Sequence, residues 1–379
     1  MRIGYITKED PNDVRAYSGT HYAMYQALKG EFEEVIPFGP VDHWYKNIAK
    51  LKGKILTFGN KKVFKFQYDI KLAQIHAKQL DEKIRKLKPD VLLGSLVSPE
   101  VAFLKTDVPL YLTTDATFPL LQDLYQSHSN LHSLSIKNAL VLERMAFQKA
   151  RKLMLPLEWL SKSAQNNYRI PKSKIEVIPY GSNLASPTEN EVQTLINERI
   201  RSEELTFLFV GVRWEEKGGP EAVGIIKELN RKGIKAKLIV VGITPEIEEE
   251  CVEVIGFLDK QDKDQLSKLI ELYQNSTFFI LPTKAECVGM SFIEAASYGL
   301  PAIGSIVGGV PEAVINKETG LIFDPVENPS KVADEISELW SNKFRYEEMS
   351  AQARKRYSVQ MNWKNWAKRV KEILSKEVI

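Results

Sequence analysis

Two cysteines, Cys251 and Cys287, are all that the 379 residues contain. No disulfide framework can organise such a chain, and the scarcity fits a reducing compartment. Long apolar runs are missing as well: nothing approaches the roughly 18 consecutive apolar residues that a membrane-spanning helix needs. Charge is nearly balanced, at a formal +3, so there is no global basic excess of the kind that tracks nucleic acid. The patterns GxGxxG and GxxxxGK(S/T) are absent, which removes the best support for dinucleotide and P-loop readings. The five histidines show no ligand spacing such as HExxH, so a zinc site is not expected. The opening residues, MRIGYIT, read directly as a strand and lack the charged and apolar regions of a signal peptide. The expected setting is cytoplasmic.

What is present is an ordinary globular composition, 44% hydrophobic and 27% charged, in a chain long enough for two domains. Apolar runs alternate with amphipathic segments. Strand candidates are Ile3–Ile6, Glu34–Phe38, Val91–Leu96, Leu110–Thr114, Lys152–Leu157 and Lys174–Pro179. The series resumes with Leu205–Val212, Ala236–Val241, Val252–Phe257, Ser276–Leu281, Ala302–Ile306 and Leu321–Phe323. Helical patterns separate most of them, which predicts repeated βα units: an α/β chain of two doubly wound parallel-sheet halves. The boundary falls in Ser182–Pro187, where Ser186 is placed to cap the next helix with Pro187 at its first position. The expected division is residues 1–185, residues 186–357 and a C-terminal helix within 358–379. On that helix Trp363, Trp366, Val370, Ile373 and Leu374 recur at helical spacing. With all strands assigned, it has none to follow it and is expected to cross back onto the first domain.

The stretch richest in chemistry is LPTKAECVGMSFIEAASYGLP, Leu281–Pro301. A buried strand enters a loop carrying Glu286 and Gly289, then a helix over Ser291–Tyr298 that Gly299 and Pro301 end. Free backbone N–H groups gather at the helix start, around Gly289, Met290 and Ser291, a natural seat for a phosphate. Glu286 precedes this seat and Glu294 lies about one turn, ~6 Å, further along. One acid can therefore flank each side of a bound diphosphate, as suits a nucleotide sugar. Scattered glutamates in such units are also commonly solvated or capping. Cys287, beside Glu286, has no partner base in the sequence and reads as a packing residue.

In FLFVGVRWEEKGGPEAV a strand ends at Val212, and Arg213 and Lys217 follow just before a helix start near Gly218-Gly219-Pro220. Cations at the carboxyl end of a parallel strand sit where such sheets bind ligands, and would neutralise a leaving diphosphate. Pairing with Glu215, Glu216 or Glu221 is the competing reading. Ser18-Gly19-Thr20 puts a glycine before the helix His21–Leu28, as a close approach to a ligand or as a plain turn. Asp262-Lys263-Asp264 has the DxD pattern of some metal sites but stands where a helix cap belongs, and the cap is the reading taken. Between His43 and Tyr68 there are seven lysines and no acid, interleaved with Trp44, Tyr45, Phe58, Phe64 and Phe66. That is either a solvated basic loop or a surface for an anionic membrane or acceptor.

The segment Glu286 to Glu294, a glutamate followed by seven residues and a second glutamate, resembles the signature of family-four retaining glycosyltransferases. AECVGMSFIEAASYGLPAIGS, GGVPEAV at Gly308–Val314 and VGVRWEEKGG look like the same family. So do SGT at 18–20, TTDATF at 113–118 and KIEVIPYGSN at 174–183, so the resemblance runs in order over nearly the whole chain. It implies a GT-B fold, two Rossmann-like domains facing across a cleft, acceptor side first and nucleotide-sugar side second, with the last helix returning to the first domain. It implies transfer of a hexosyl unit from a UDP- or GDP-sugar to the hydroxyl of a glycan, a lipid-linked glycan or a small molecule. Anomeric configuration would be retained, and no metal or other cofactor would be required.

By the same resemblance Glu286 would touch the donor sugar hydroxyls and Glu294 the ribose. Backbone at Gly289, Met290 and Ser291 would hold the distal phosphate, and Arg213 and Lys217 the diphosphate. Gly19 would approach from the other domain, and backbone near Phe257 and Leu258 would meet the base. Two departures bear on these expectations. The family commonly spaces its arginine and lysine by one more residue than here. Many members also carry a first-domain histidine against the donor sugar, where Thr113-Thr114-Asp115 puts Asp115 in this chain. The rival readings are a nucleotide-sugar 2-epimerase of the same fold and a non-catalytic nucleotide-sugar-binding protein. Expected partners are the donor and a hydroxyl acceptor, with peripheral contact at the inner face of the membrane through 43–68 as one reading, and no nucleic acid.

Overall fold

The computed structural model describes residues 1–59 and 61–377. The apolar runs become strands β1 (Arg2–Ile6), β2 (Glu34–Pro37), β3 (Val91–Ser95), β4 (Leu110–Thr113), β5 (Lys152–Leu155) and β6 (Ile175–Val177). They continue as β7 (Leu205–Val210), β8 (Ala236–Val241), β9 (Val252–Gly256), β10 (Phe278–Leu281), β11 (Ala302–Ser305) and β12 (Gly320–Phe323). The chain divides into two compact units, Met1–Pro179 with the stretch from Trp366, and Tyr180–Asn365. Each unit holds one six-stranded sheet, and every strand pairing is parallel.

Parallel strands need crossover connections, and the crossovers cover both faces of each sheet with helices. This is why β3 and β10 read as unbroken apolar runs and are buried along their whole length. The sheets are not copies of one another. The first runs β2-β1-β3-β4-β5-β6, with one strand on the near side of β1. The second runs β9-β8-β7-β10-β11-β12, with two strands on the near side of β7. The order reverses between β1 and β3 in the first sheet and between β7 and β10 in the second. At such a reversal the crossovers leave in opposite directions, and the gap at the carboxyl ends of the strands is where open α/β sheets take ligands.

Ser186, expected to cap the next helix, does not cap Glu189–Ile200. Thr188 caps it, in a box with Glu191, and Ser186 instead accepts a hydrogen bond from Arg354 Nη1 at 2.7 Å. The box satisfies two orphan donors at once, which a lone serine ahead of a proline does not. The final helix, Trp363–Glu377, starts in the second unit, where Trp363 Nε1 donates to Asn183 Oδ1 at 3.2 Å. From Trp366 it counts with the first unit, and Arg369 reaches Glu176 at 3.3 Å.

One buried cation holds two helix ends of the second unit together. Arg199 donates to the carbonyls of Tyr273 (3.0 Å), Gln274 (2.9 Å), Tyr298 (3.0 Å) and Gly299 (3.2 Å). These lie at the carboxyl ends of the helices Lys263–Asn275 and Met290–Ser297, where unpaired carbonyls carry partial negative charge. Removing the guanidinium strands all four acceptors in the interior. Arg199→Met is therefore expected to cost about 3 kcal/mol or more, seen as a lower midpoint in thermal melts of the full chain. A melt indistinguishable from the parent's would show that the carbonyls find other partners.

Candidate functional site

The reversal between β7 and β10 brings together Lys217, Glu286 and Gly289. The loop leaving β7 ends in Gly218, at φ 78°, where a Cβ would lie 1.9 Å from the Pro282 carbonyl oxygen. Only glycine lets this loop press against the exit of β10. A hydrogen bond joins the two loops, Lys284 N donating to Glu216 O at 2.8 Å, and Thr283 Oγ1 lies 3.2 Å from the same oxygen. Thr283 also shapes its own turn, donating to Ala285 O at 2.8 Å and accepting from Ala285 N at 3.2 Å.

The outcome is an ion pair across the reversal. Lys217 Nζ lies 2.9 Å from Glu286 Oε2 and donates to Ala285 O, also at 2.9 Å. Both side chains are largely enclosed, at 11% and 14% exposure. The other carboxylate oxygen of Glu286 accepts from Cys287 N at 3.1 Å and Gly289 N at 3.2 Å. Three N–H groups, of Gly289, Met290 and Ser291, are expected in a phosphate seat. Glu286, three residues ahead, already takes the Gly289 N–H. The N–H groups of Met290 and Ser291 open the helix Met290–Ser297, with no intrahelical carbonyl behind them. Gly289 caps that helix in the left-handed region, at φ 80°.

Glu294 sits one turn along the helix, 4% exposed. Lys260 Nζ donates to its Oε1 and the Tyr273 hydroxyl to its Oε2, each at 3.0 Å. Burial beside Glu294 raises the Tyr273 hydroxyl well above its ordinary pKa, so it remains a donor. Lys260 ties the loop after β9 to this helix. On that loop Phe257 is 70% exposed and Leu258 is partly buried.

Arg213 stands apart from this cluster: it is exposed and pairs with Glu216 at 3.1 Å, the competing reading for that residue. Lys217 takes none of the three glutamates proposed for it. Asp262 caps the helix Lys263–Asn275, its Oδ1 accepting from Asp264 N and Gln265 N, which is the cap read from the DxD pattern. Among the described residues no three His, Cys, Asp or Glu side chains are grouped to hold a metal ion.

Gly19 and Asp115 lie in the first unit, and Tyr17 joins their neighbourhoods. Tyr17 and Ser18 are left-handed, at φ 51° and 56°, and Gly19 follows at φ 91° as the cap of the helix Thr20–Glu31. The fold of this turn carries the Tyr17 hydroxyl to the Asp115 carboxylate just beyond β4, and stacks its ring on His21 at 5.2 Å. His21 is 2% exposed, and burial pushes its pKa down to about 4, so it is neutral near pH 7. Behind Asp115, Glu143 accepts from Phe118 N at 2.7 Å and from the Tyr168 hydroxyl, and burial pushes its carboxyl up to about 7.

Sequence reasoning missed Thr283, Lys260, Tyr273, Tyr17 and His21. The one usable signal was for Tyr273: a tyrosine on the apolar face of a helix needs an acceptor when buried, and Glu294 is the nearby acid.

Residues 193–356 match the model of the family described as Glycosyl transferases group 1. The D-rhamnosyltransferase WbpZ of Pseudomonas aeruginosa is 29% identical over 199 residues, 49% of this chain and 49% of that protein. The capsular polysaccharide biosynthesis glycosyltransferase CapM of Staphylococcus aureus is 26% identical over 239 residues, 59% of this chain and 62% of that protein. The chain spans about half the length of the curated relatives it matches. Among solved structures, a sucrose-phosphate synthase from Thermosynechococcus elongatus superposes with a TM-score of 0.69 at 15% identity, covering 99% of this chain and 98% of that one. Anabaena HepE in complex with UDP and glucose gives 0.64 at 14% identity, covering 99% and 100%. The two parallel six-stranded sheets thus have the GT-B architecture.

The two donors on Glu294 generate a prediction of their own. Tyr273→Phe removes one and leaves a buried carboxylate oxygen short of a partner. The expected cost is about 1–3 kcal/mol of stability, measured by urea titration of the full chain. A variant as stable as the parent would mean that Lys260 alone satisfies Glu294.

Proposed function

We propose that this protein is a glycosyltransferase that moves a hexosyl unit from a nucleoside-diphosphate sugar to a hydroxyl acceptor, with retention of configuration and without a metal ion. The observation that carries the reading is the Lys217–Glu286 pair, 2.9 Å apart beside the open start of the Met290 helix, at the strand-order reversal. The match of residues 193–356 to a glycosyltransferase family model supports it. So do relatives whose names describe transfer of rhamnose and synthesis of capsular polysaccharide, and a neighbour solved with UDP and glucose.

In this reading the bond from the sugar's anomeric carbon to the diphosphate lengthens and negative charge gathers on the leaving phosphate. The ammonium of Lys217 has three donors, of which Glu286 and Ala285 take two. The third faces the diphosphate, and the N–H groups of Met290 and Ser291 complete a fixed, positively polarised seat. Arg213 adds a second cation by exchanging Glu216 for a phosphate oxygen. Glu286 meets the sugar hydroxyls. Glu294 uses two of the roughly four acceptor positions of a carboxylate on Lys260 and Tyr273, which leaves two for ribose hydroxyls. Backbone at Phe257 and Leu258, tied to Glu294 through Lys260, meets the base. The acceptor oxygen attacks from the face the phosphate leaves, and the phosphate takes its proton.

The test is incubation with UDP- and GDP-sugars, following free nucleoside diphosphate with and without glycan acceptors. Lys217→Ala is expected to lower kcat by about 100- to 1000-fold. Glu294→Ala is expected to raise donor KM more than Glu286→Ala does, because ribose contacts are made equally in ground and transition states. Near-parental turnover of Lys217→Ala would sink the diphosphate assignment. Sugar epimerisation without an acceptor would favour the epimerase, and tight donor binding without turnover a binding protein.

A further inference from the structure

The basic segment 43–68 takes no part in the site above and has a geometry of its own. Its helix, Lys46–Leu56, turns two small residues, Ala49 and Gly53, inward. The close seat is visible at Gly53, where a Cβ would lie 2.7 Å from the Phe64 ring. Outward stand Ile48, Leu51 and Ile55, spaced i, i+3, i+7 on one face and exposed at 43%, 58% and 68%. Trp44, four residues before Ile48, is 66% exposed, and Phe58, three after Ile55, is 89% exposed. Three large apolar side chains thus share the outer face of the helix, and Trp44 and Phe58 stand exposed in the turns at its two ends. A soluble protein scatters such residues singly; a row of them marks an interaction surface.

The charge beside the row is more selective than the seven lysines suggested. Acids just outside the segment neutralise two of them, Asp42 pairing with Lys46 and Asp69 with Lys52 at 2.7 Å. Lys50 lies over the Phe66 ring at 4.9 Å. Lys50 and Lys54, on the helix itself, and Lys61 beyond Phe58 are exposed, and no carboxylate lies between His43 and Tyr68.

We propose that this helix is an interfacial docking surface for an anionic lipid bilayer. The row from Trp44 to Phe58 enters the boundary between headgroups and acyl chains, and Lys50, Lys54 and Lys61 rest on anionic headgroups. Charge complementarity selects this occupant. A soluble polyanion would engage the lysines and leave the apolar row in water. A second copy of the chain would set the same lysines against each other. The proposal is independent of the nucleotide-sugar reading, since neither the surface nor its test involves the site around Lys217.

The experiment is co-sedimentation of the full chain with phosphatidylcholine vesicles, with and without phosphatidylglycerol, at low and high salt. Binding is expected to the anionic vesicles and not to phosphatidylcholine alone, and to weaken with salt. Two changes, Ile48→Ser with Leu51→Ser and Ile55→Ser, or Lys50→Glu with Lys54→Glu, are each expected to lower the partition coefficient about 10-fold or more. Phe58→Ser, at the most exposed position, tests the row where the fold is least engaged and is expected to weaken binding in the same direction. Failure of the parent protein to bind anionic vesicles at low salt would overturn the proposal. So would binding that the serine changes leave intact, which would reduce the contact to charge adsorption. Dimerisation that those changes abolish, with no vesicle binding, would assign the surface to a second copy.

Discussion

A lysine and a glutamate from different loops meet at 2.9 Å only because two strands far apart in sequence lie side by side. Lys217 leaves β7 and Glu286 leaves β10, with β8 and β9 folded away to one side. The pairing of β7 with β10 fixes the bases of both loops, and Gly218 lets one loop press against the other. Thr283, fully buried, then holds the turn that presents Glu286. An enclosed ion pair of this kind contributes little net stability, because desolvation offsets most of its Coulomb attraction. Its worth lies in orientation. Glu286 keeps Lys217 aimed while its second oxygen steadies the turn ahead of the Met290 helix, so cation and helix start arrive in one place.

A second arrangement depends on the first. The position of Glu294 relative to the Lys217 pair depends on the angle at which the Met290 helix leaves the loop, and three contacts hold that angle. Tyr273 and Lys260 grip its carboxylate, and Arg199 clamps the carboxyl end of the same helix to the end of the helix that carries Tyr273. The consequence is chemical as well as mechanical. Lys260 is a cation 3.0 Å from Glu294 Oε1, so the charge of that buried carboxylate is screened within the fold. A variant at Lys260 would therefore change the charge around Glu294 even where the helix did not move.

Much of this was legible in the residues. Continuous apolar runs such as FFIL in β10 announce strands buried on both faces, and the glycines at 218, 289 and 299 punctuate loops and helix ends where they fall. What one sequence does not carry is the partner of each side chain. Arg213 and Lys217 look equivalent in the string RWEEK, yet the turn sends one to Glu216 and the other across the sheet to Glu286. The strand order that decides this is a tertiary outcome. For the same reason Ser186 reads as a cap until Thr188 and Glu191 are seen to satisfy each other. Arg199 gives no local sign at all, because its partners are backbone carbonyls more than 70 residues away.

The basic segment shows the same limit from the opposite side. Counting lysines between His43 and Tyr68 describes a net charge, but binding to a charged surface depends on which ammonium groups are not already neutralised. Asp42 and Asp69 lie one residue outside each end of that window and reach back into it, so two of the charges are spent within the fold. The helix meanwhile puts Ile48, Leu51 and Ile55 outward and the small Ala49 and Gly53 inward, the reverse of the burial that apolar size alone would choose. Packing against Phe64 requires the small residues on the inside. That constraint exposes the large ones, and converts a basic loop into a face with one apolar stripe and a few unneutralised cations beside it.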